Sequence, residues 1–79
     1  MELRIYSIYD RRAEESGPLF TAKNDAVAMR NYENLINSEN VKEEEYRLLL
    51  LGVYNPEKSL IFGNEQPEEV VIKLSTPEL

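Results

Sequence analysis

Residues Tyr46 to Tyr54 read Tyr-Arg-Leu-Leu-Leu-Leu-Gly-Val-Tyr, and this segment constrains the fold more than any other. Its β-branched, aromatic and leucine-rich composition predicts a strand. Side chains alternate across a strand, so Leu48 and Leu50 fall on one face and Leu49, Leu51 and Val53 on the other. A strand that is apolar on both faces is normally covered on both. The chain has 79 residues, enough for one domain, and a chain of that size buries only about 60% of its unfolded surface. If it supplies a single helix, one face is covered and the other needs loops, a folded sheet or a second copy. Two-fold dimers are the commonest soluble oligomers, so a homodimer is expected.

The remaining segments supply that single helix. Leu3 to Asp10 is rich in β-branched and aromatic residues and reads as a first strand. Arg11 to Pro18 is polar and ends in Gly17-Pro18, a strong loop signal. Leu19 to Ala22 is a short second strand. Asn24-Asp25 then offers a helix cap, because a short polar side chain can accept from the first-turn amides. Ala28, Met29, Tyr32, Leu35 and Ile36 recur at three- and four-residue spacing and form one apolar stripe. The helix should fade between Ser38 and Asn40. Asn55-Pro56-Glu57-Lys58 has turn chemistry and predicts a hairpin from Tyr46–Tyr54 into Ser59–Gly63. Gly63 to Pro67 reads as a second turn, Glu69 to Ser75 as a last strand, and residues 76–79 as a frayed tail. The expectation is one α+β domain over residues 1–79. Its order is β-β-α-β-β-β, with one helix on a largely antiparallel sheet of four to five strands.

Charge and residue types narrow the function. The net charge is −6, and it is unevenly placed. Residues 1–30 carry five Lys/Arg and five Asp/Glu, whereas residues 31–79 carry four against ten. An acidic chain gains no general attraction to phosphate backbones, so any contact with DNA must be local or made within a complex. The acidic half (Glu39, Glu43, Glu44, Glu45, Glu57, Glu65, Glu68 and Glu69) could face a basic protein partner; ordinary solubility is the simpler account. There is no His and no Cys, which removes the commonest general base, the thiolate nucleophile and the usual zinc ligands. The three glycines are isolated, so no phosphate-cradling loop exists. Glu43-Glu44-Glu45 reads as a solvated charge run rather than a metal site. The residues therefore point away from an enzyme and call for no cofactor or metal. No apolar run approaches the roughly 18 residues of a membrane helix. Met1–Arg4 passes straight into strand-like sequence, which predicts no secretory signal and a cytoplasmic protein.

One arrangement stands out as a candidate binding site. Tyr6 and Tyr9 lie on the first strand, Arg11 and Arg12 follow it directly, and Lys23 and Arg30 flank the start of the helix. Aromatic rings can stack on unpaired bases while Arg and Lys follow the backbone. The plainer account places the tyrosines in the core or a dimer interface and the cations in solvent.

These residues also carry a resemblance. Ile5-Tyr6-Ser7-Ile8-Tyr9-Asp10-Arg11-Arg12-Ala13-Glu14, then Gly17-Pro18-Leu19-Phe20 and Ala22-Lys23-Asn24-Asp25-Ala26-Val27-Ala28-Met29-Arg30, resemble the small nonstructural protein of gokushovirus-type microviruses, tailless single-stranded DNA phages. Glu44-Glu45-Tyr46-Arg47-Leu48, Leu51-Gly52 and the Tyr54-Asn55-Pro56-Glu57 hairpin extend the likeness over roughly residues 3 to 62, in order and spacing. The resemblance implies a phage protein made in the infected bacterium, outside the virion, with a part in genome replication. It favours a regulator of single-stranded DNA synthesis that binds single-stranded DNA or the replication complex. An adaptor for a basic viral or host protein is the alternative.

Overall fold

The computed structural model describes residues 1–39 and 42–71, with Glu43 described by its backbone alone. Among these residues five strands and one helix run in the order β1 (Leu3–Asp10), β2 (Glu15–Ser16), β3 (Phe20–Ala22), α1 (Asp25–Glu39), β4 (Tyr46–Asn55) and β5 (Leu60–Glu69). A short 3₁₀ turn, Glu43–Glu45, leads into β4. The sheet is antiparallel throughout, in the order β2-β1-β4-β5, with β3 also paired to β1. This is the expected α+β architecture, although three strands precede the helix and two follow it.

β1 is central because both its flanks are used. On one side it pairs with β4 along its whole length, from Leu3↔Tyr54 to Asp10↔Tyr46. On the other side β3 takes its first half and β2 its second, at Arg4↔Ala22 and Tyr9↔Ser16. Asp10 makes the turn back into β2: its carboxylate accepts from the amides of Arg12 (2.9 Å) and Ala13 (3.2 Å). Glu14 completes that turn with a positive φ of 60°. The segment Arg11–Pro18, expected to be loop, thus contains a two-residue strand.

The helix begins where the sequence provides a cap. Asn24 Oδ1 accepts from the Val27 amide at 2.9 Å, and its carbonyl accepts from the Ala28 amide at 3.1 Å. Asn24→Ala is expected to cost about 1 kcal/mol by leaving first-turn amides without that acceptor. A urea titration followed by circular dichroism measures it; an unchanged midpoint would show that the cap adds nothing. From this start α1 lays Ala28 and Tyr32 on Tyr6, Ala22, Leu48 and Leu50, with Ile8, Phe20, Val27, Met29 and Ile36 around them. Tyr32 also donates its hydroxyl to the Tyr46 carbonyl at 3.2 Å, which fixes the helix against the start of β4.

The two-faced strand proves less symmetric than its sequence. In β4 the pairing to β1 jumps from Leu50 (opposite Tyr6) to Gly52 (opposite Ile5), so Leu51 is an extra residue. An inserted residue shifts the alternation by one. Val53 therefore lies opposite Arg4, on the same side as Tyr6, and not on the face of Leu49 as simple alternation predicts. On the face away from the helix Leu3, Tyr9, Leu49 and Tyr54 are half-buried.

β5 corrects a second expectation. Gly63–Pro67 is not a turn between two strands but lies within one strand, Leu60–Glu69. Gly63 pairs with Gly52, and pairing resumes with Glu68 opposite Leu50, so Asn64 to Pro67 form a wide bulge. Asn64 holds it by donating its side-chain amide to the Leu50 carbonyl at 3.2 Å. Of the expected last strand Glu69–Ser75, Glu69 ends β5 and Val70 and Val71 lie beyond it. Residues 72–75 and the expected frayed tail, 76–79, fall outside the described residues.

Candidate binding site

Of the six residues that the sequence nominates, Tyr6 is the one that the fold removes from the surface. It is fully buried, at 0% exposure, with its ring stacked on Phe20 at a centroid distance of 5.7 Å. Its hydroxyl donates to Asp25 Oδ1 at 2.6 Å and accepts from Arg4 Nε at 3.1 Å, while Arg4 Nε also reaches Asp25 at 3.2 Å. Burial, and then the bond to Asp25, push this hydroxyl up to about 12, with Arg4 opposing. A base cannot stack on a ring whose faces are already packed. Tyr6 ties β1 to the helix start and is withdrawn from the candidate site.

The other five are divided between two regions. Arg11 and Arg12 project from the turn after β1 and are exposed, with Tyr9 half-buried close by on the face away from the helix. Lys23 follows Ala22, which pairs with Arg4 near the beginning of β1. The eight residues of β1 put those two ends about 25 Å apart. Arg30 is exposed on α1. The six residues therefore do not form one continuous patch.

The charges around the arginines decide what that end can do. Arg12 Nη1 lies 3.5 Å from Glu45 Oε2, and Arg11 Nη1 donates to the Glu44 carbonyl at 3.3 Å. Asp10, Glu14, Glu15 and Glu44 belong to the same turn and to the 3₁₀ turn beside it. The Tyr46 hydroxyl is raised first by desolvation and then by Asp10, Glu45 and Glu39, with Arg12 opposing. A phosphate backbone arriving here would meet two arginines set among acids. That is a poor electrostatic footprint for DNA.

The same end of the sheet carries a feature that the sequence did not reveal. An apolar cleft of about 410 Å³ opens between the β2–β3 segment and the helix, lined by Ile8, Pro18, Leu19, Phe20, Leu35 and Tyr46, with Asp10, Glu15 and Ser16. Gly17 and Pro18 explain its position. They interrupt the edge beside Ile8, between β2, which pairs from Tyr9 onward, and β3, whose pairing stops at Tyr6. The Gly17-Pro18 signal announces this break, but the cleft depends on where the helix lands. Among the described residues no group of three or more Asp or Glu could hold a metal ion. No helix there is long and apolar enough to cross a membrane.

A family model described as phage ORF5 protein matches residues 3–76, nearly the whole chain. The chain belongs to the phage ORF5 protein family. No curated protein and no solved structure matches it. The match spans every element of this ORF5-family domain, from β1 to β5, so the cleft and both cationic regions fall within the family's own extent.

Proposed function

We propose that this ORF5-family protein is a non-enzymatic, nonstructural protein of a single-stranded DNA phage that acts in genome replication by binding a protein of the replication complex. It would work in the cytoplasm of the infected bacterium. One observation carries the reading: an apolar cleft bordered by Asp10 and Glu15 lies in a chain of net charge −6. An apolar floor beside carboxylates suits a basic, amphipathic segment of a protein, with the charges aiding encounter and orientation. The sequence resemblance to gokushovirus nonstructural proteins supports the replication setting.

Direct contact with single-stranded DNA is the second reading. Its support is the exposure of Arg11 and Arg12 beside Tyr9; Lys23 and Arg30 would need a strand long enough to reach the other region.

Two measurements separate these readings. Photo-cross-linking from Leu35 in infected cells is expected to recover a basic phage or host replication protein, and Glu15→Lys is expected to reduce the yield several-fold. A labelled single-stranded oligonucleotide is expected to show no saturable anisotropy change at physiological salt. Binding that weakens with salt and falls on Arg11→Ala/Arg12→Ala would instead establish the DNA reading, because each phosphate contact contributes to the salt slope. Neither a cross-linked protein nor DNA binding would remove both.

A further inference from the structure

The two edges of the sheet are built differently. One is broken into β2 and β3, of two and three residues, with Pro18, which lacks an amide donor, between them. Short pieces and a proline blunt an edge against further pairing. The other edge is β5, exposed at all ten positions and, among the described residues, followed by no strand in the sheet order. Its second half is also protected, by the bulge and by Glu65, Glu68 and Glu69. Its first half is not. Leu60, Ile61 and Phe62 are 46%, 66% and 55% exposed, three consecutive apolar side chains on a regular strand. An uncharged apolar strand with a free backbone edge is a template for another strand.

We propose that β5 pairs antiparallel with β5 of a second copy, joining the two sheets across a two-fold axis at Ile61. The segment is its own complement in that register. An axis perpendicular to the sheet keeps each face on its own side, so Ile61 meets Ile61 and Leu60 meets Phe62. Ile61 lies opposite Tyr54, and Phe62 opposite Val53, so they belong to the two different faces. The joint thus covers apolar side chains on both sides of the sheet. Charge favours the antiparallel sense. It sends the Glu65, Glu68 and Glu69 half of each β5 away from its counterpart and towards the Lys58 end of the other copy, whereas parallel pairing would set like charges side by side. The blunted opposite edge makes the contact isologous. A sheet with one receptive edge closes as a dimer and does not grow into a filament.

The chain contains no cysteine, so a single Ile61→Cys substitution reports on this contact without background. The wild-type protein is expected to show the mass of two chains by light scattering at its highest soluble concentration. On mild oxidation Ile61→Cys is expected to form a disulfide-linked dimer at least ten times faster than Lys58→Cys, whose side chains would lie apart. Phe62→Lys is expected to give a monomer with an unchanged circular dichroism spectrum, because Phe62 is exposed in the single chain. If Ile61→Cys fails to fold, the mass of Phe62→Lys against wild type decides. A wild-type monomer at every concentration overturns the proposal and leaves the edge to a strand of another protein or to residues 72–79. A dimer that persists in Phe62→Lys, or equal cross-linking rates at the two positions, overturns it as well.

Discussion

Tyr6→Ala is expected to leave the domain largely unfolded, not folded with a weakened binding site. Truncating a large buried aromatic to alanine costs about 3–5 kcal/mol, and total stabilities run from about 5 to 15 kcal/mol, with small domains near the bottom. Tyr6 sits at the centre of the only core among the described residues, against Ala22, Ala28, Tyr32, Leu48 and Leu50. Tyr6→Phe keeps the ring and removes only the hydroxyl link to Asp25 and Arg4, so a loss of about 1 kcal/mol is expected. The pH dependence distinguishes the two roles of the side chain. The hydroxyl's ordinary value is 10.0, and the fold raises it to about 12. The unfolded chain therefore gives up this proton first, and the stabilisation is complete below pH 10 and falls between about 10 and 12. Wild-type stability should drop through that window more steeply than that of Tyr6→Phe, and by ultraviolet absorbance Tyr6→Phe should lose one late-titrating tyrosine that the wild type shows. A folded Tyr6→Ala that had lost only an affinity for DNA would return Tyr6 to the binding surface.

What made Tyr6 misleading in the sequence also marks how far the sequence could be read. The period-two pattern of Leu3–Asp10, the stripe Ala28, Met29, Tyr32, Leu35 and Ile36, and the Asn24 cap are local signals, and each formed the expected element. Which face of β1 the helix would cover is not local. It depends on the packing of Ala28 and Tyr32 on Leu48 and Leu50, and only that contact turns Tyr6 inward and leaves Tyr9 on the opposite face. The irregularities at Leu51 and at Asn64–Pro67 were hidden for a related reason. A bulge is defined by pairing between strands, and Gly63-Asn64-Glu65-Gln66-Pro67 has the composition of a turn whether the chain reverses there or not. The two cationic regions were adjacent in the sequence sense only, because Arg11 and Lys23 bracket a strand pair that sends them to opposite ends of β1.

Gly52→Ala is expected to detach β5 from β4, with a loss of about 3 kcal/mol or more, at or above the upper end of the usual overpacking range. A Cβ at position 52 would lie 2.3 Å from the Phe62 carbonyl oxygen and 2.9 Å from Gly63 Cα. Both are backbone atoms, so no side-chain rotation relieves the clash and one strand must move. Gly63, its partner across the ladder, makes the natural control: a Cβ there has only the Leu51 carbonyl oxygen near it, at 4.0 Å. Gly63→Ala should therefore be almost neutral. The need for glycine at 52 follows from the irregular pairing between Leu50 and Gly52, where the strands approach more closely than two side-chain-bearing residues allow. Urea denaturation gives the two stabilities. Amide exchange locates the damage, and in Gly52→Ala protection should fall across Leu60–Gly63 while Arg4–Ile8 stays protected. Because β5 presents the edge proposed to join two copies, Gly52→Ala should also lower the dimer fraction and Gly63→Ala should not. Equal stability and equal exchange in the two variants would mean that β4 and β5 do not approach this closely, and the strand edge offered at Ile61 would lose its foundation.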